Sequence, residues 1–427
     1  MKLNKEQTAI LNGEKGETLA KVMQTIIRYG ELFGAEKLVP VTSKYNHLVT
    51  SFGLKALGPV YDLMDKLIKD GVVSQQKFSC DPRPLDKNVP KNFLQNLIFN
   101  KFMYSKQDFY EGQLKQLGLM DENAFTCTCY MDEVGNKPNK GEVLSWAESS
   151  AVVYANSVLG ARCNRNSGML DIFSAILGKV PYFGLLTDEG RKADWVIEVK
   201  TTKLPEAQVL GSAIGLKVME DVPYVVGLDK FLGNKLDHNA KDYLKDFGAA
   251  TASNGAVGLY HINGLTPEAV KYGKEELVKD NAKVYVIDDA ELERVKNSYP
   301  ILWKKSEKKA QLAFIGCPHL SYTQLENWAN DIINELQKNG LKKVQVRTIL
   351  TTSPHVKAKF EKTKLYNSLI KTGARVSSIC PLMYTNNPIA GKRRIATSSN
   401  KLRTYSSSRY YTNAEMLELV CSKGGAK

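Results

Sequence analysis

No apolar run in this 427-residue chain approaches the roughly 20 residues needed to span a bilayer, so membrane-spanning helices are not expected. The amino-terminal stretch Met1 to Thr8 is polar and lacks the hydrophobic core of a signal peptide, which predicts a cytoplasmic protein. Internal repeats and long low-complexity segments are also absent. Cysteine is sparse, and its seven residues form an odd set at irregular spacing. That excludes a disulfide framework in a reducing compartment and leaves metal ligation or plain burial. Acids are missing altogether from Ala390 to Arg409, a stretch rich in Ser, Thr, Lys and Arg. Such a stretch is either a flexible tail or an anion-binding loop that closes over a site.

What is present is an ordinary globular composition, 43% apolar and 24% charged, in a chain too long for one core. Several lobes around a shared cleft are expected. The net charge of +14 does not by itself call for nucleic acid, because the lysines are spread along expected helical faces such as Lys271 to Lys283 and Lys304 to Lys309. A basic surface equally suits steering of an anionic substrate or docking of an acidic partner subunit.

Apolar residues at helical spacing predict helices over Glu17 to Phe33 and Gly58 to Lys69, with a short extended run at Leu38 to Ser43 leading to a loop that carries His47. A Pro/Gly/Asn loop over Gly135 to Gly141 is followed by a predicted helix from about Glu142 to Leu159, with Glu148 and Ser149 near its middle. Strand-like runs at Trp195–Val199, Tyr224–Gly227, Val284–Ile287, Ala313–Gly316 and Val344–Val346 alternate with helical segments, which is an α/β pattern. A final helix is expected over Glu415 to Cys421.

Between Thr126 and Arg165 the chain gathers three thiols, several acids and amides, hydroxyls and two guanidiniums, interrupted by short apolar runs. Buried polar groups need partners, so this density points to a ligand or a metal. Cys127 follows a β-prone stretch, and Cys317 and Cys380 each precede Pro at the end of an apolar strand, where α/β folds bind ligands. Three thiolates with one open position hold an iron centre that also binds substrate, although buried cysteines as small hydrophobes fit the same spacing.

The residues themselves resemble the aconitase X catalytic family, of the aconitase superfamily. That family's signature runs Cys-Thr-Pro-Tyr, Trp-Ala-Glu-Ser-Ser-Ala, Asn-Ser-Val-Leu-Gly-Ala-Arg-Thr-Asn-Arg and Gly-Cys-Pro-His. This chain shows Cys127-Thr128-Cys129-Tyr130, Trp146 to Ala151, Asn156 to Arg165 and Gly316 to His319 in that order. The likeness runs from about His47 to the loop Ser399-Asn400-Lys401.

The resemblance implies a multi-lobed α/β/α catalytic core lacking a swivel domain, and an iron-dependent dehydratase acting on a small hydroxy-carboxylate. It implies metal ligands at Cys127, Cys317 and Cys380, holding an iron-sulfur cluster or a mononuclear iron. The iron would act as a Lewis acid on a substrate oxygen. Cys129 and Cys163 depart from the family's Pro and Thr, and both are expected to be neighbours of the site. Glu148, Ser149 and His319 are the candidate catalytic residues, and His47, Asn156, Asn164, Arg165, Ser399 and Lys401 the candidate substrate-binding ones. Several have a structural alternative. Glu148 and Ser149 would otherwise satisfy backbone groups, Asn156 would bridge two helices, and His47 would be a surface histidine. Arg165 suits a bidentate grip on a carboxylate, His319 would orient a metal ligand or bind substrate, and Ser321 is expected to cap a helix.

Family members act on cis-3-hydroxy-L-proline or on mevalonate 5-phosphate. The stretch Asn164 to Gly168 differs from the Arg-Glu-Gly-Gly run of the phosphomevalonate type, which favours hydroxyproline, whereas Lys401 and Arg403 in the basic tail would suit a phosphate. No swivel segment follows Lys427, so a separate small swivel-domain subunit is the expected partner. A non-catalytic iron- or RNA-binding regulator is the alternative of another class.

Overall fold

The computed structural model describes residues 1–86, 89, 97–304, 309–386 and 390–424. The chain forms three lobes, each with its own apolar core. In the first, the helix Glu17–Leu32 turns Val22, Met23, Ile26 and Ile27 inward against Met64, Leu67 and Leu114. Strands β1 (Leu38–Pro40), β2 (Asn46–Leu48), β3 (Phe78–Cys80) and β4 (Lys179–Pro181) belong here. β1 pairs antiparallel with β4, and β2 parallel with β3.

The second lobe is a parallel sheet of β5 (Ala193–Val199), β6 (Pro223–Val226), β7 (His261–Ile262) and β8 (Val278–Ile287), in the order β7-β6-β5-β8. The third is parallel as well, with β9 (Leu312–Leu320), β10 (Arg347–Thr352), β11 (Arg375–Ser377), β12 (Ile395–Thr397) and β13 (Arg409–Tyr410) in the order β11-β10-β9-β12-β13. The chain runs outward from β9 to β11 and then returns to β12 on the opposite side of β9. This reversal opens a crevice at the carboxyl ends of β9 and β12, where parallel sheets bind ligands. Gly316 shapes that end of β9. Its φ is 102°, and a Cβ there would stand 2.5 Å from the Thr351 carbonyl oxygen, so only glycine lets the strand bulge against β10.

Several expectations are met closely: helices Glu17–Leu32, Gly58–Lys69 and Asn413–Cys421, and Ser321 as the cap of the helix Tyr322–Lys338. Two boundaries need correction. The helix expected from Glu142 begins only at Ser149, because Val143 and Leu144 are held extended by pairing with Arg162. Glu148 is therefore its N-cap and not a mid-helix residue, and after Tyr154 the helix widens into a π-helical turn, Ala155–Leu159. The strand expected at Val344–Val346 is instead β10, three residues later, since Val344 and Gln345 donate to the Thr372 and Val420 carbonyls outside the sheet. Lys271 to Lys283 spans the end of a helix and the start of β8, while most of Lys304 to Lys309 lies outside the described residues. The acid-free stretch is ordered as β12, the helix Asn400–Thr404 and β13.

The lobe junction is fixed by a buried ion pair. Arg191, 1% exposed, donates from Nε and Nη2 to the Glu268 carboxylate at 2.8–3.0 Å, and from Nη1 to Asn156 Oδ1 at 3.1 Å. Removing one partner leaves an uncompensated buried charge. Glu268→Ala is expected to lower stability by about 3–5 kcal/mol in denaturant unfolding, whereas a surface change such as Glu293→Ala should cost less than about 0.5 kcal/mol.

Candidate active site

The carboxyl ends of strands from the first and third lobes converge on one cavity of about 150 Å³. β9 delivers Cys317 and His319, the segment after β11 delivers Cys380 to Met383, and the helix after β12 delivers Lys401. From the first lobe, β2 leads to Val49, Ser51 and Phe52, and β3 leads to Asp81 and Pro82. Cys127 and Glu148 complete the wall. All three expected thiols thus line one space. Among the described residues, no three His, Cys, Asp or Glu side chains are already drawn together around a point, so the thiols surround the cavity and do not form a closed single-ion site. Three soft donors on the wall of one small cavity are the residues that would hold an iron centre.

Each thiol has local support. Cys127 Sγ accepts from the His319 backbone N–H at 3.4 Å, and Cys380 Sγ from Met383 N–H at 3.5 Å. The Cys317 carbonyl accepts from Ser399 Oγ, while Ser399 also caps the helix Asn400–Thr404. Burial raises the thiol pKa of all three.

Lys401 and Glu148 form an ion pair across the cavity, and Glu148 also accepts from Ser150 N at 3.0 Å and Ser150 Oγ at 2.7 Å. Burial alone would raise the Glu148 pKa. The Lys401 cation and the Ser150 donors outweigh it and bring the carboxyl down to about 2, while the pair raises Lys401. Asp81 takes the opposite course. Burial and the neighbouring Glu148 carboxylate push its pKa well above the usual carboxylate range, against the pull of the Lys401 cation.

Asp81 escaped the sequence reading, although a signal was there. Asp81-Pro82 repeats, at the end of β3, the pattern of Cys317-Pro318 and Cys380-Pro381. His47 stands behind it and is fully buried, not on the surface. Its Nε2 meets Asp81 Oδ1 at 3.2 Å and its Nδ1 meets Ser79 Oγ at 2.9 Å, and Ser79 accepts from Asn136 Nδ2 at 2.9 Å. Burial works against protonation of His47, but Cys129, Glu148 and Asp171 prevail and raise its pKa.

Other expected residues are placed differently. His319 lines the cavity, but its Nε2–H is directed at the Ile379 carbonyl (3.2 Å) and its Nδ1 at Thr126 Oγ1 (2.9 Å). Burial holds its pKa down to about 4, so it is neutral and orients the Cys127 segment. Asn156 is not brought to the cavity. Its amide donates to the Cys163 and Gly258 carbonyls, both at 2.8 Å, and its oxygen accepts from Cys163 N–H and Arg191. Asn164 is engaged by Phe183 O and Leu185 N in a neighbouring turn. Ser149 touches Lys401 only at 3.5 Å. Arg403, considered for a phosphate, is taken up by Asn400, Asn254 and the Tyr299 ring. Cys129 and Cys163 are fully buried in the second lobe's core, and neither lines the cavity. Arg165 does not line the cavity; it is half-buried, burial lowers its pKa against the pull of Tyr405, Glu148 and Glu220, and it makes no hydrogen bond or ion pair with any described residue.

The fold is that of a solved structure of aconitase X from Thermococcus kodakaraensis in its holo-form, with a TM-score of 0.80 and 27% identity over 98% of this chain and 100% of that one. Family descriptions of the first, second and third domains of aconitase X match residues 1–189, 193–297 and 310–420. The phosphomevalonate dehydratase large subunit of Methanocaldococcus jannaschii is 32% identical over 95% of both chains. The cis-3-hydroxy-L-proline dehydratase of Pseudomonas aeruginosa is 28% identical over 93% of this chain, which spans 65% of that relative. The chain belongs to the aconitase X family. It is an enzyme, a dehydratase of the hydro-lyase class, and the regulator alternative is set aside. Among the described residues no helix is long and apolar enough to cross a membrane.

The Glu148 shift carries a pH signature. A carboxyl lowered on folding adds stability that is complete above its unfolded value near 4.5 and is lost as pH falls toward about 2. The pair's contribution, on the order of 3 kcal/mol, is expected to fade over that window. Thermal unfolding from pH 5 to pH 2.5 should show a steeper loss for the native chain than for Glu148→Gln.

Proposed function

We propose that this chain is the large subunit of a dehydratase that removes water from mevalonate 5-phosphate, working with a separate small subunit in the cytosol. The observation that carries the reading is the match to phosphomevalonate dehydratase large subunits along nearly the whole of both chains. The hydroxyproline dehydratases match less closely, at 26% and 28% identity against 32% and 31%. A second reading, cis-3-hydroxy-L-proline as substrate, is favoured by the stretch Asn164 to Gly168, which differs from the phosphomevalonate type's Arg-Glu-Gly-Gly run.

Iron dependence is general among aconitase-like dehydratases. Held by Cys127, Cys317 and Cys380, an iron centre would supply the Lewis acidity that hydroxide, a poor leaving group, requires. The chain's own groups account for the rest. Arg165, with no hydrogen-bond or ion-pair partner among the described residues, grips the substrate carboxylate. Lys401, anchored by Glu148, places fixed positive charge on the cavity wall where anionic character develops. Asp81, its pKa raised by burial and by Glu148 and its carboxyl braced by His47, gives a proton to the departing oxygen as the carbon–oxygen bond breaks, so that water leaves. Ser399 and His319 hold the Cys317 and Cys127 segments in place. The base that takes the carbon-bound proton comes from the small subunit.

Co-expressed with its small subunit and purified without oxygen, the enzyme is expected to dehydrate mevalonate 5-phosphate at least about tenfold more efficiently than cis-3-hydroxy-L-proline. The reverse order would transfer the assignment to the second reading. Iron content should fall to background in Cys317→Ala, and iron retained there would remove Cys317 from the ligand set. Asp81→Asn preserves a hydrogen bond to His47 but has no proton to give, and kcat is expected to drop by about 10²-fold or more.

A further inference from the structure

Arg165 is an unusual side chain in this molecule, a half-buried guanidinium with neither hydrogen bond nor ion pair among the described residues. None of its five donors is used within the described structure, so the contacts that set its orientation are those of its stem. The stem lies against Gly258. A Cβ built at Gly258 would stand 3.2 Å from Arg165 Cγ and 3.4 Å from Cδ, and 2.7 Å from Leu185 Cδ1. The φ of Gly258 is not in the left-handed region, so the backbone there would accept an L side chain. The glycine is needed for space, not for conformation.

The walls of this slot are tied together from below. Asn156 Nδ2 donates to the Gly258 carbonyl and to the Cys163 carbonyl, and Asn156 Oδ1 accepts from Cys163 N–H at 2.9 Å. The segments bearing Gly258 and Arg165 are thus pinned to one amide. That amide is fixed in turn by Arg191 Nη1, and Arg191 is held by Glu268 and by His261, whose Nε2–H reaches the Arg191 carbonyl at 2.8 Å. Leu185, the opposite wall, belongs to the turn that Asn164 grips at 2.8 Å and that Arg191 Nη1 also reaches through the Leu185 carbonyl. Every wall of the slot therefore leads back to Asn156, Asn164 or the Arg191–Glu268 pair.

We infer that Gly258, with Asn156 and the Arg191–Glu268 pair beneath it, is a positioning element for substrate. The slot holds the Arg165 stem, and with it fixes where the guanidinium, unpaired among the described residues, receives a carboxylate. The inference rests on the proposed substrate contact of Arg165, and it adds the residues that set that contact's geometry. Because the carboxylate is common to mevalonate 5-phosphate and cis-3-hydroxy-L-proline, it holds for either substrate. A fork of donors rewards only a matched geometry, and the loss on displacement falls in substrate affinity and not in turnover.

The test uses the two-subunit enzyme with Arg165→Ala, Gly258→Ala and the double variant, measuring calorimetric Kd for both acids together with kcat and KM. Arg165→Ala is expected to weaken binding by about 100-fold. Gly258→Ala should weaken it by about tenfold, with kcat within about threefold, and the double variant should be no weaker than Arg165→Ala alone. Unchanged affinity in Gly258→Ala, or a full extra factor in the double variant, overturns the inference while the Arg165 contact stands. Unchanged affinity in Arg165→Ala overturns that contact, and the inference with it, as does a failure of both acids to bind the native enzyme. Thermal melts establish that each variant is folded. Should Gly258→Ala not fold, the pair Gly258→Ala and Leu185→Ala, which vacates the site of closest clash, takes its place with the same expected tenfold loss.

Discussion

The ion pair between Lys401 and Glu148 is the constraint on which the site depends. Its partners are 253 residues apart, one on the helix after β12 and the other capping the helix that starts at Ser149. Both charges are nearly buried, and each is tolerable only because the other is there. Docking the third lobe on the first therefore creates the site and satisfies its most costly groups together. The raised pKa of Asp81 follows from burial and from the same pair, since the Glu148 carboxylate beside it outweighs the pull of Lys401. Two neighbouring carboxyl groups are thus shifted in opposite directions, Glu148 down and Asp81 up.

Around this pair the parallel sheets act as a frame. Strand ends from the first and third lobes meet at the cavity, and the reversal of strand order beside β9 leaves the crevice into which they project. The second lobe contributes no strand end to the cavity. Its role is internal bracing: the helix behind Glu148 and the Arg191–Glu268 pair sit against its core. Polar side chains that sequence alone would place on substrate, Asn156 and Asn164, belong to this bracing. A buried amide has four hydrogen-bonding places to fill, and backbone carbonyls and N–H groups supply most of them before a ligand arrives.

The basic character of the chain is consistent with anionic substrates, although the cations that matter are few. Of the residues in the acid-free stretch, Lys401 reaches the cavity, while Arg403 is committed to Asn254, Asn400 and Tyr299. The stretch is folded because β12 and β13 extend the third sheet, and the hydroxyls of Ser399 and Ser406 are absorbed by local backbone groups.

The sequence by itself determined the α/β alternation, the strand-end cysteines, the cap at Ser321 and the resemblance carried by the Cys127, Trp146, Asn156 and Gly316 stretches. These features are local, written in periodicity, in turn residues and in side chains next to one another in the chain. Only the tertiary structure decided that Cys127, Cys317 and Cys380 share one cavity, that Glu148 caps a helix and does not sit inside one, that His47 is buried behind Asp81, and that Asn156 serves the scaffold. Each of these depends on groups brought together from distant segments, and on which carbonyl, amide or charge has already been satisfied there. Hydrogen-bond saturation and burial are properties of the assembled lobes, and no window of sequence contains them.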